Sequence, residues 1–174
     1  MELAQTDSHF DGENKTNTSQ YLTFMLDGEE YGVDILKVQG IQGYGKVTPL
    51  PRTPKFIRGV VNLRGAIVPI VDLRCRFGME EIAISPTTVV IVVKVVANGK
   101  DRTVGLVVDA VSEVHDVADE DLKPAPDFGK SANSAYIEAL ATINERMLIL
   151  LNIDHLINSG VMDAVESSND EVAE

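Results

Sequence analysis

Short runs of alternating apolar and polar residues cover most of the chain, and this pattern is typical of β-strands rather than of long helices. Gly-containing turns separate the runs. Asn98-Gly99 is the clearest of them, because both residues readily adopt the positive φ angles of a two-residue hairpin. The predicted strand-rich segments are residues 21–26, 31–41, 58–73, 87–97, 102–109 and 136–153, and residues 155–167 are predicted to form a closing helix.

The chain also contains an internal repeat. Residues 56–74 align with residues 136–154 at an offset of 80, and residues 32–41 align with residues 105–114 at an offset of 73. The difference between the offsets falls in the proline-containing segment 119–135, a predicted loop in which insertions are well tolerated. Two matches in the same order indicate two similar β-units. Closing each unit into a small barrel would remove exposed strand edges, and the groove between the barrels is then the natural binding place.

Most of the net charge of −12 lies at the two ends of the chain. Residues 1–18 are predicted to form a disordered acidic tail, and residues 159–174 an acidic helix or tail, because both are rich in Asn, Ser, Asp and Glu. Residues 19–82 and 83–158 are the predicted first and second barrel subdomains. Residues 46–79 are locally basic, which indicates either a solvated face or a surface that docks an acidic partner.

No sequence motif for catalysis, cofactor binding or metal binding is present. The chain has neither a phosphate-binding glycine motif nor a nucleophile elbow, and its acidic segment 116–121 lacks the spacing of a calcium loop. Cys75 is the single cysteine, and its apolar neighbours favour a buried thiol. We therefore expect a binding protein without enzymatic activity, cofactor or metal. The single cysteine and the absence of a signal-like or membrane-length apolar segment favour a cytoplasmic location.

The most characteristic motif of the chain is FIRGVVNLRG at 56–65, followed by IVPIVDLR at 67–74; further motifs are EEYGVDILKVQ at 29–39, GLVVD at 105–109, LKPAP at 122–126 and RMLIL at 146–150. Together, over residues 20–158, they are similar to the CheW-type chemotaxis coupling proteins. The resemblance implies one CheW-like domain over residues 19–158, built as two SH3-like five-stranded β-barrels with short helices. It also implies a non-catalytic adaptor.

Such an adaptor would join methyl-accepting chemotaxis receptors to the chemotaxis histidine kinase, whose regulatory domain has the same fold, in arrays at the inner face of the membrane. The resemblance implies a receptor-binding set of Val38, Gly59, Asn62, Arg64, Val89, Gly105 and Val111, and a kinase-binding set of Lys123, Asp127 and Phe128. Val38 and Val111 are repeat-equivalent, so they either face each other across the barrel junction or belong to the core. Phe128 is either an interface anchor or a lid over the core.

One position departs from the family pattern. Many relatives carry Glu where this chain has Gly40, so an ion pair between that position and Arg64 is absent, and we expect Arg64 to be an exposed residue on the receptor side.

Two other functions stay open at this point. The first is a free-standing SH3-like module that reads peptides; the low aromatic content of 5% and the lack of tryptophan count against it, because such modules line their grooves with aromatic rings. The second is a scaffold of the same fold in another two-component pathway.

Overall fold

The computed structural model describes residues 17–125 and 136–158. The strands are β1 Thr18–Leu26, β2 Glu29–Asp34, β3 Val38–Gly43, β4 Ile57–Leu63, β5 Ala66–Asp72, β6 Val89–Ala97, β7 Lys100–Val108, β8 Ala110–Ala118, β9 Leu122–Lys123, β10 Ile137–Ile143 and β11 Arg146–Leu151. Two short α-helices follow β5 and β11, namely α1 Leu73–Arg76 and α2 Ile153–Asn158, and 3-10 turns span Ile35–Lys37 and Asp119–Asp121. The predicted all-β class is confirmed. The predicted tails, apart from Asn17 and Thr18, lie outside the described residues.

The strands form two sheets. The first has the order β8-β1-β2-β11-β10-β9, and the second has the order β3-β6-β7-β5-β4. Neighbouring strands are antiparallel except for β2 with β11 and β5 with β7, which are parallel. Neither ladder closes on itself, because each sheet ends in two edge strands, and the first sheet has six strands rather than the predicted five. The pair of sheets is consistent with two SH3-like units.

Each sheet combines strands from both halves of the chain. β1 and β2 lie before the boundary predicted between residues 82 and 83, yet they belong to the sheet of β8–β11; β6 and β7 lie after it and belong to the sheet of β3–β5. That boundary therefore does not separate the two sheets. The reason is the parallel ladder in each sheet, which joins a hairpin of one repeat to a strand of the other: Gly32 pairs with Leu150, and Gly105 pairs with Ile70.

The structure reproduces the internal repeat in its strand register. In the β4–β5 hairpin, Gly59 pairs with Ile70 immediately after a bulge, and in the β10–β11 hairpin, Ala139 pairs with Leu150 immediately after the equivalent bulge. The two pairs are related by the predicted offset of 80. The repeat is therefore a property of the backbone pairing as well as of the apolar pattern.

The helix caps repeat in the same way. The side chain of Asp72 accepts a hydrogen bond from the Cys75 amide at 3.3 Å, and the side chain of Asn152 accepts one from the His155 amide at 3.0 Å. Each cap thereby satisfies an amide at the start of a short helix that would otherwise lack a partner.

Three apolar clusters make up the core. The central cluster contains side chains of both sheets, such as Phe24 and Leu106, together with Leu156 of α2, and holds the sheets together. The second cluster belongs to the first sheet and the third to the second sheet. Along β6 the side chains of Ile91, Val93 and Val95 join the central cluster while Val90 and Val92 join the third, since successive residues of a strand point to opposite faces. Among the described residues, no helix is long and apolar enough to cross a membrane.

Candidate functional site

A groove with a volume of about 310 Å³ opens on the second sheet. It is lined by Gln39, Gly40, Ile41 and Gln42 of β3, by Leu63, Arg64, Ala66 and Val68 of the β4–β5 hairpin, and by Val92 and Thr103 of β6 and β7. The lining therefore combines small, apolar and neutral polar side chains with one cation, and it contains no aromatic ring. We refer to it as the Arg64 groove.

The hairpin turn holds Arg64 at the side of the groove. Arg64 and Gly65 have φ angles of 53° and 89°, and the side-chain oxygen of Asn62 accepts a hydrogen bond of 2.8 Å from the Gly65 amide. Asn62, which the resemblance assigns to the receptor-binding set, thus stabilises the turn that presents Arg64. Positive φ angles in two successive residues match the right-handed twist of the flanking strands.

The guanidinium of Arg64 is exposed and forms no hydrogen bond or ion pair with any part of residues 17–125 or 136–158. Gly40 lines the same groove, and a Cβ atom placed on Gly40 would have no heavy atom within 4 Å. The expectation that Arg64 lacks a carboxylate partner from position 40 agrees with this geometry. A cation beside empty space is available to an external carboxylate.

Three valines of the predicted receptor-binding set face the central core cluster and not the Arg64 groove. Val38, Val89 and Val111 are partly buried and pack against the central core cluster. Val38 pairs with Val93 of β6, and Val111 pairs with Phe24 of β1. Their contacts are thus those of core residues, and they do not line the Arg64 groove.

Two glycines of the same set are required by packing within the protein. Gly59 has a φ angle of 142°, and a Cβ atom there would lie 2.1 Å from the carbonyl oxygen of Thr48. Gly105 is buried, and its Cβ atom would lie 2.7 Å from side-chain carbons of both Ile70 and Val90. Gly105 nevertheless pairs with Val92, a groove residue, so a change at Gly105 would also disturb the groove.

Of the predicted kinase-binding residues, only Lys123 is described. Lys123 is exposed and pairs with Leu140 at the edge of the first sheet. Thr48 occupies the equivalent place on the second sheet, where it forms an isolated bridge to Val60. Asp127 and Phe128 lie outside the described residues. The two alternatives for Phe128, an interface anchor or a lid over the core, therefore both stay predictions.

Several cations of the basic segment 46–79 are paired inside the protein. Arg58 donates to Asp72 at 2.9 Å and to Glu81 at 3.1 Å, and Arg74 donates to Asp109 at 2.9 Å. Burial opposes the charge of Arg58, but the hydrogen bonds to Asp72 and Glu81 outweigh it and raise the pKa of Arg58; the hydrogen bond to Asp109 does the same for the pKa of Arg74. Arg58 and Arg74 are therefore held by internal carboxylates, whereas Arg64 has no carboxylate partner within residues 17–125 and 136–158.

A row of aromatic rings that sequence reasoning missed packs the segment after α1 against the first sheet. Phe77, which follows α1, lies between Tyr31 and Tyr136, with ring centroids 6.1 Å and 6.3 Å away, and Tyr31 stacks on Phe24 at 6.0 Å. Such offset contacts add about 0.5–1.5 kcal/mol per pair beyond burial. In the sequence these aromatic residues stand close to predicted strand ends and turns, and that position alone does not show that their rings contact one another.

Two further candidates for chemistry are the Cys75 thiol and a metal site. Burial, followed by the charge of Asp72, raises the pKa of the Cys75 thiol, so the thiolate that would be needed for reactivity is disfavoured. Within the described residues, no group of three or more His, Cys, Asp or Glu side chains is arranged to hold a metal ion.

Comparison with known proteins agrees with this architecture. A family model described as CheW-like domain matches residues 20–161. The chain belongs to the CheW-like domain family. The predicted family is thereby confirmed, and with it a place among the scaffold proteins of chemotaxis.

Individual relatives match over nearly their whole length. The Chemotaxis protein CheW of Klebsiella aerogenes is 46% identical over 153 residues, which cover 88% of this chain and 90% of the relative. The Chemotaxis protein CheW of Rhizobium meliloti is 36% identical over 157 residues, which cover 86% and 99%. The crystal structure of scaffolding protein TtCheW from Thermoanaerobacter tengcongensis superposes with a TM-score of 0.73 at 33% identity, covering 81% of this chain and 93% of that one.

Proposed function

We propose that this CheW-like protein is a cytoplasmic, non-catalytic adaptor that joins methyl-accepting chemotaxis receptors to the chemotaxis histidine kinase, in arrays at the inner face of the membrane. Family membership supports the general role. The observation that carries the specific role is Arg64, an exposed cation held at a groove by a turn that Asn62 stabilises and left without an internal partner in the described structure.

The Arg64 groove is the proposed receptor-facing surface. The groove lies between β3 and the β4–β5 hairpin, and it combines one exposed cation with small, apolar and neutral polar side chains. Asn62 and Arg64 act directly at this surface. The other five residues of the set support this surface through packing, so their substitution would weaken receptor binding indirectly; they are Val38, Gly59, Val89, Gly105 and Val111.

The kinase regulatory domain is proposed to dock on a different surface, around Lys123, Asp127 and Phe128. Lys123 is an exposed cation at an edge strand, where another sheet is able to pack without disturbing the core. The separation of the two surfaces would allow one chain to hold both partners at once. A peptide-reading SH3-like module is disfavoured, because the Arg64 groove lacks the aromatic lining that such modules use.

The test is a pair of titrations with purified protein, one against a receptor cytoplasmic fragment and one against the kinase regulatory domain, both from the organism that encodes the chain. Arg64→Ala should weaken receptor binding about tenfold or more, since a hydrogen bond to a charged group contributes about 1.5–3 kcal/mol. Kinase binding should stay within about twofold. Lys100→Ala is the matched control, because Lys100 is an exposed cation beside another hairpin turn of the same sheet. If the wild-type protein binds neither partner at tens of micromolar, the adaptor function is wrong.

A further inference from the structure

Within residues 17–125 and 136–158, the chain passes between the two sheets at two places. The first crossover is the 3-10 turn Ile35–Lys37, which joins β2 of the first sheet to β3 of the second. The second crossover is Asp109, which joins β7 of the second sheet to β8 of the first. At the offset of 73 the two crossovers occupy the same place in the repeat. The angle between the sheets therefore depends on how these two short segments are held.

Each crossover is held by a charged side chain of a short helix. Arg74 of α1 donates a hydrogen bond to Asp109 at 2.9 Å, and Lys37 donates one to Asp154 of α2 at 2.7 Å. Arg74 and Asp154 are equivalent at the offset of 80, so the two ion pairs are related by the repeat with their charges exchanged. We refer to them as the Arg74 pair and the Lys37 pair.

The Arg74 pair is buried and has several bonds. The Arg74 side chain is 10% exposed, and its guanidinium also donates to the second Asp109 oxygen at 3.1 Å and to Asp27 of the β1–β2 turn at 3.3 Å. Asp109 in turn accepts a hydrogen bond of 2.9 Å from the Asp27 amide. The cavity that Arg74 and Asp109 line has a volume of only about 20 Å³. Separating such a pair would leave a buried charge without compensation, so this crossover is fixed.

The Lys37 pair is open to solvent. The side chains of Lys37 and Asp154 are 33% and 34% exposed, and the neighbouring Leu36 is 88% exposed. The cavity that Lys37 and Asp154 line has a volume of about 130 Å³. Ion pairs with this exposure contribute little to stability and are weakened by salt. Asp154 also accepts a hydrogen bond of 3.1 Å from the Val96 amide, so its carboxylate stays in place when Lys37 leaves.

We propose that the Lys37 pair is a releasable contact, and that the two sheets rotate about the Arg74 pair when it opens. Asp34 and Glu138 line the same cavity as Lys37, so a released ammonium group meets other carboxylates there. The close packing of the central cluster limits the motion to a small rotation. Arg64 lies on the second sheet and Lys123 on the first, so the rotation would change the distance between the two proposed partner surfaces. That consequence rests on the proposed function, whereas the motion itself does not.

The test measures distances between spin labels on the two sheets of the full-length protein, by pulsed electron paramagnetic resonance. A Cys75→Ala background removes the single native thiol. Labels at Gln20 and Asn98 span the sheets on the side of the Lys37 pair, and labels at Ser112 and Thr87 span them beside the Arg74 pair. All four labelled positions are exposed in the structure.

Breaking the Lys37 pair should change only the first distance. Lys37→Met should broaden the distance distribution on the side of the Lys37 pair and leave the other distribution unchanged. In the wild type, about 1 M salt should have the same effect, because it shortens the Debye length to about 3 Å. In Lys37→Met, the same salt should cause no further broadening, and neither should the addition of Asp154→Asn, because all three changes remove one contact.

Lys94→Met is the matched control. Lys94 lies 3.5 Å from Asp101 in another exposed ion pair, but both partners belong to the β6–β7 hairpin, so the loss of this pair should leave both distributions unchanged. If Lys37→Met and salt leave the first distribution as narrow as in wild type, the Lys37 pair is not a releasable contact. If both distributions broaden equally, or if Lys94→Met broadens them as Lys37→Met does, rotation about the Arg74 pair is wrong. No partner takes part in the measurement, so these results leave the adaptor function standing.

Discussion

Replacing Gly105 by alanine separates a packing role from a direct binding role. The added methyl would lie 2.7 Å from both Ile70 Cδ1 and Val90 Cγ1, well inside van der Waals contact, so these side chains or the β5–β7 ladder must shift. Overpacking of this kind costs about 1–3 kcal/mol. For a domain of this size each kcal/mol lowers the melting temperature by roughly 2–4 °C, so Gly105→Ala should lower it by roughly 2–12 °C.

The repeat supplies graded controls for this experiment. At the equivalent position, Gly32→Ala would bring a methyl within 2.9 Å of Leu150 Cδ2, the end of a flexible side chain, and should cost less. At Gly43 nothing lies within 4 Å, so Gly43→Ala should change the free energy of unfolding by no more than about 0.5 kcal/mol.

The assay is urea unfolding of the three variants, followed by receptor titration at a temperature at which each is fully folded. We expect the order of destabilisation to be Gly105, Gly32, Gly43, with receptor binding reduced for Gly105→Ala only as far as the groove is disturbed. If Gly105→Ala is as stable as wild type and still loses receptor binding, Gly105 is a contact residue and the packing argument is refuted.

Three further predictions concern single side chains. Asp72→Ala should lower the free energy of unfolding by about 2–4 kcal/mol, because Asp72 is buried, pairs with Arg58 and caps α1. Asp72→Asn should lower the free energy of unfolding by less. Equal urea midpoints for wild type and Asp72→Ala would contradict this prediction. Partial burial, aided by the charge of Asp34, raises the pKa of Glu138 above its ordinary 4.5, so the ionisation of Glu138 opposes folding as pH rises. Glu138→Gln should therefore have a higher melting temperature than wild type at pH 7 and the same melting temperature below about pH 4. A difference in melting temperature that stays constant across pH would count against that cause. Arg64→Ala should change the free energy of unfolding by less than about 0.5 kcal/mol, since the guanidinium has no partner in the described structure; a melting temperature lowered by several degrees would show that Arg64 supports the fold.

The β-fold and its internal repeat were predictable because both depend on sequence patterns within short segments of the chain. Alternating apolar residues and Asn-Gly or Asp-Gly turns specify hairpins, and the offset of 80 carried into the structure down to the bulge before Gly59 and Ala139. The distribution of strands between the sheets was not predictable. Because the two repeats are alike, the sequence pattern does not distinguish a parallel ladder between strands of one repeat from a parallel ladder between the two repeats, such as the one that pairs Ile70 with Gly105.

The candidate site was predictable only at its turn. The exposure of Arg64 follows from its place before Gly65 in a hairpin, and the missing partner follows from Gly40. The groove itself depends on register, because Gly40, Ala66 and Thr103 come from three strands far apart in sequence. The core positions of Val38 and Val111 depend on which face of β3 and β8 meets the central cluster, and the bulges beside them shift that face in a way that apolar alternation alone does not show.

The most direct test of the adaptor role is reconstitution of the wild-type protein with a receptor cytoplasmic fragment and the full-length kinase, with co-sedimentation of all three components as the readout. We expect wild type and Lys100→Ala to bring kinase into the receptor pellet. Arg64→Ala should lose the receptor while still binding the isolated kinase regulatory domain. Equal loss of both partners in Arg64→Ala, or the same amount of kinase in the pellet with and without the wild-type protein, would contradict the account.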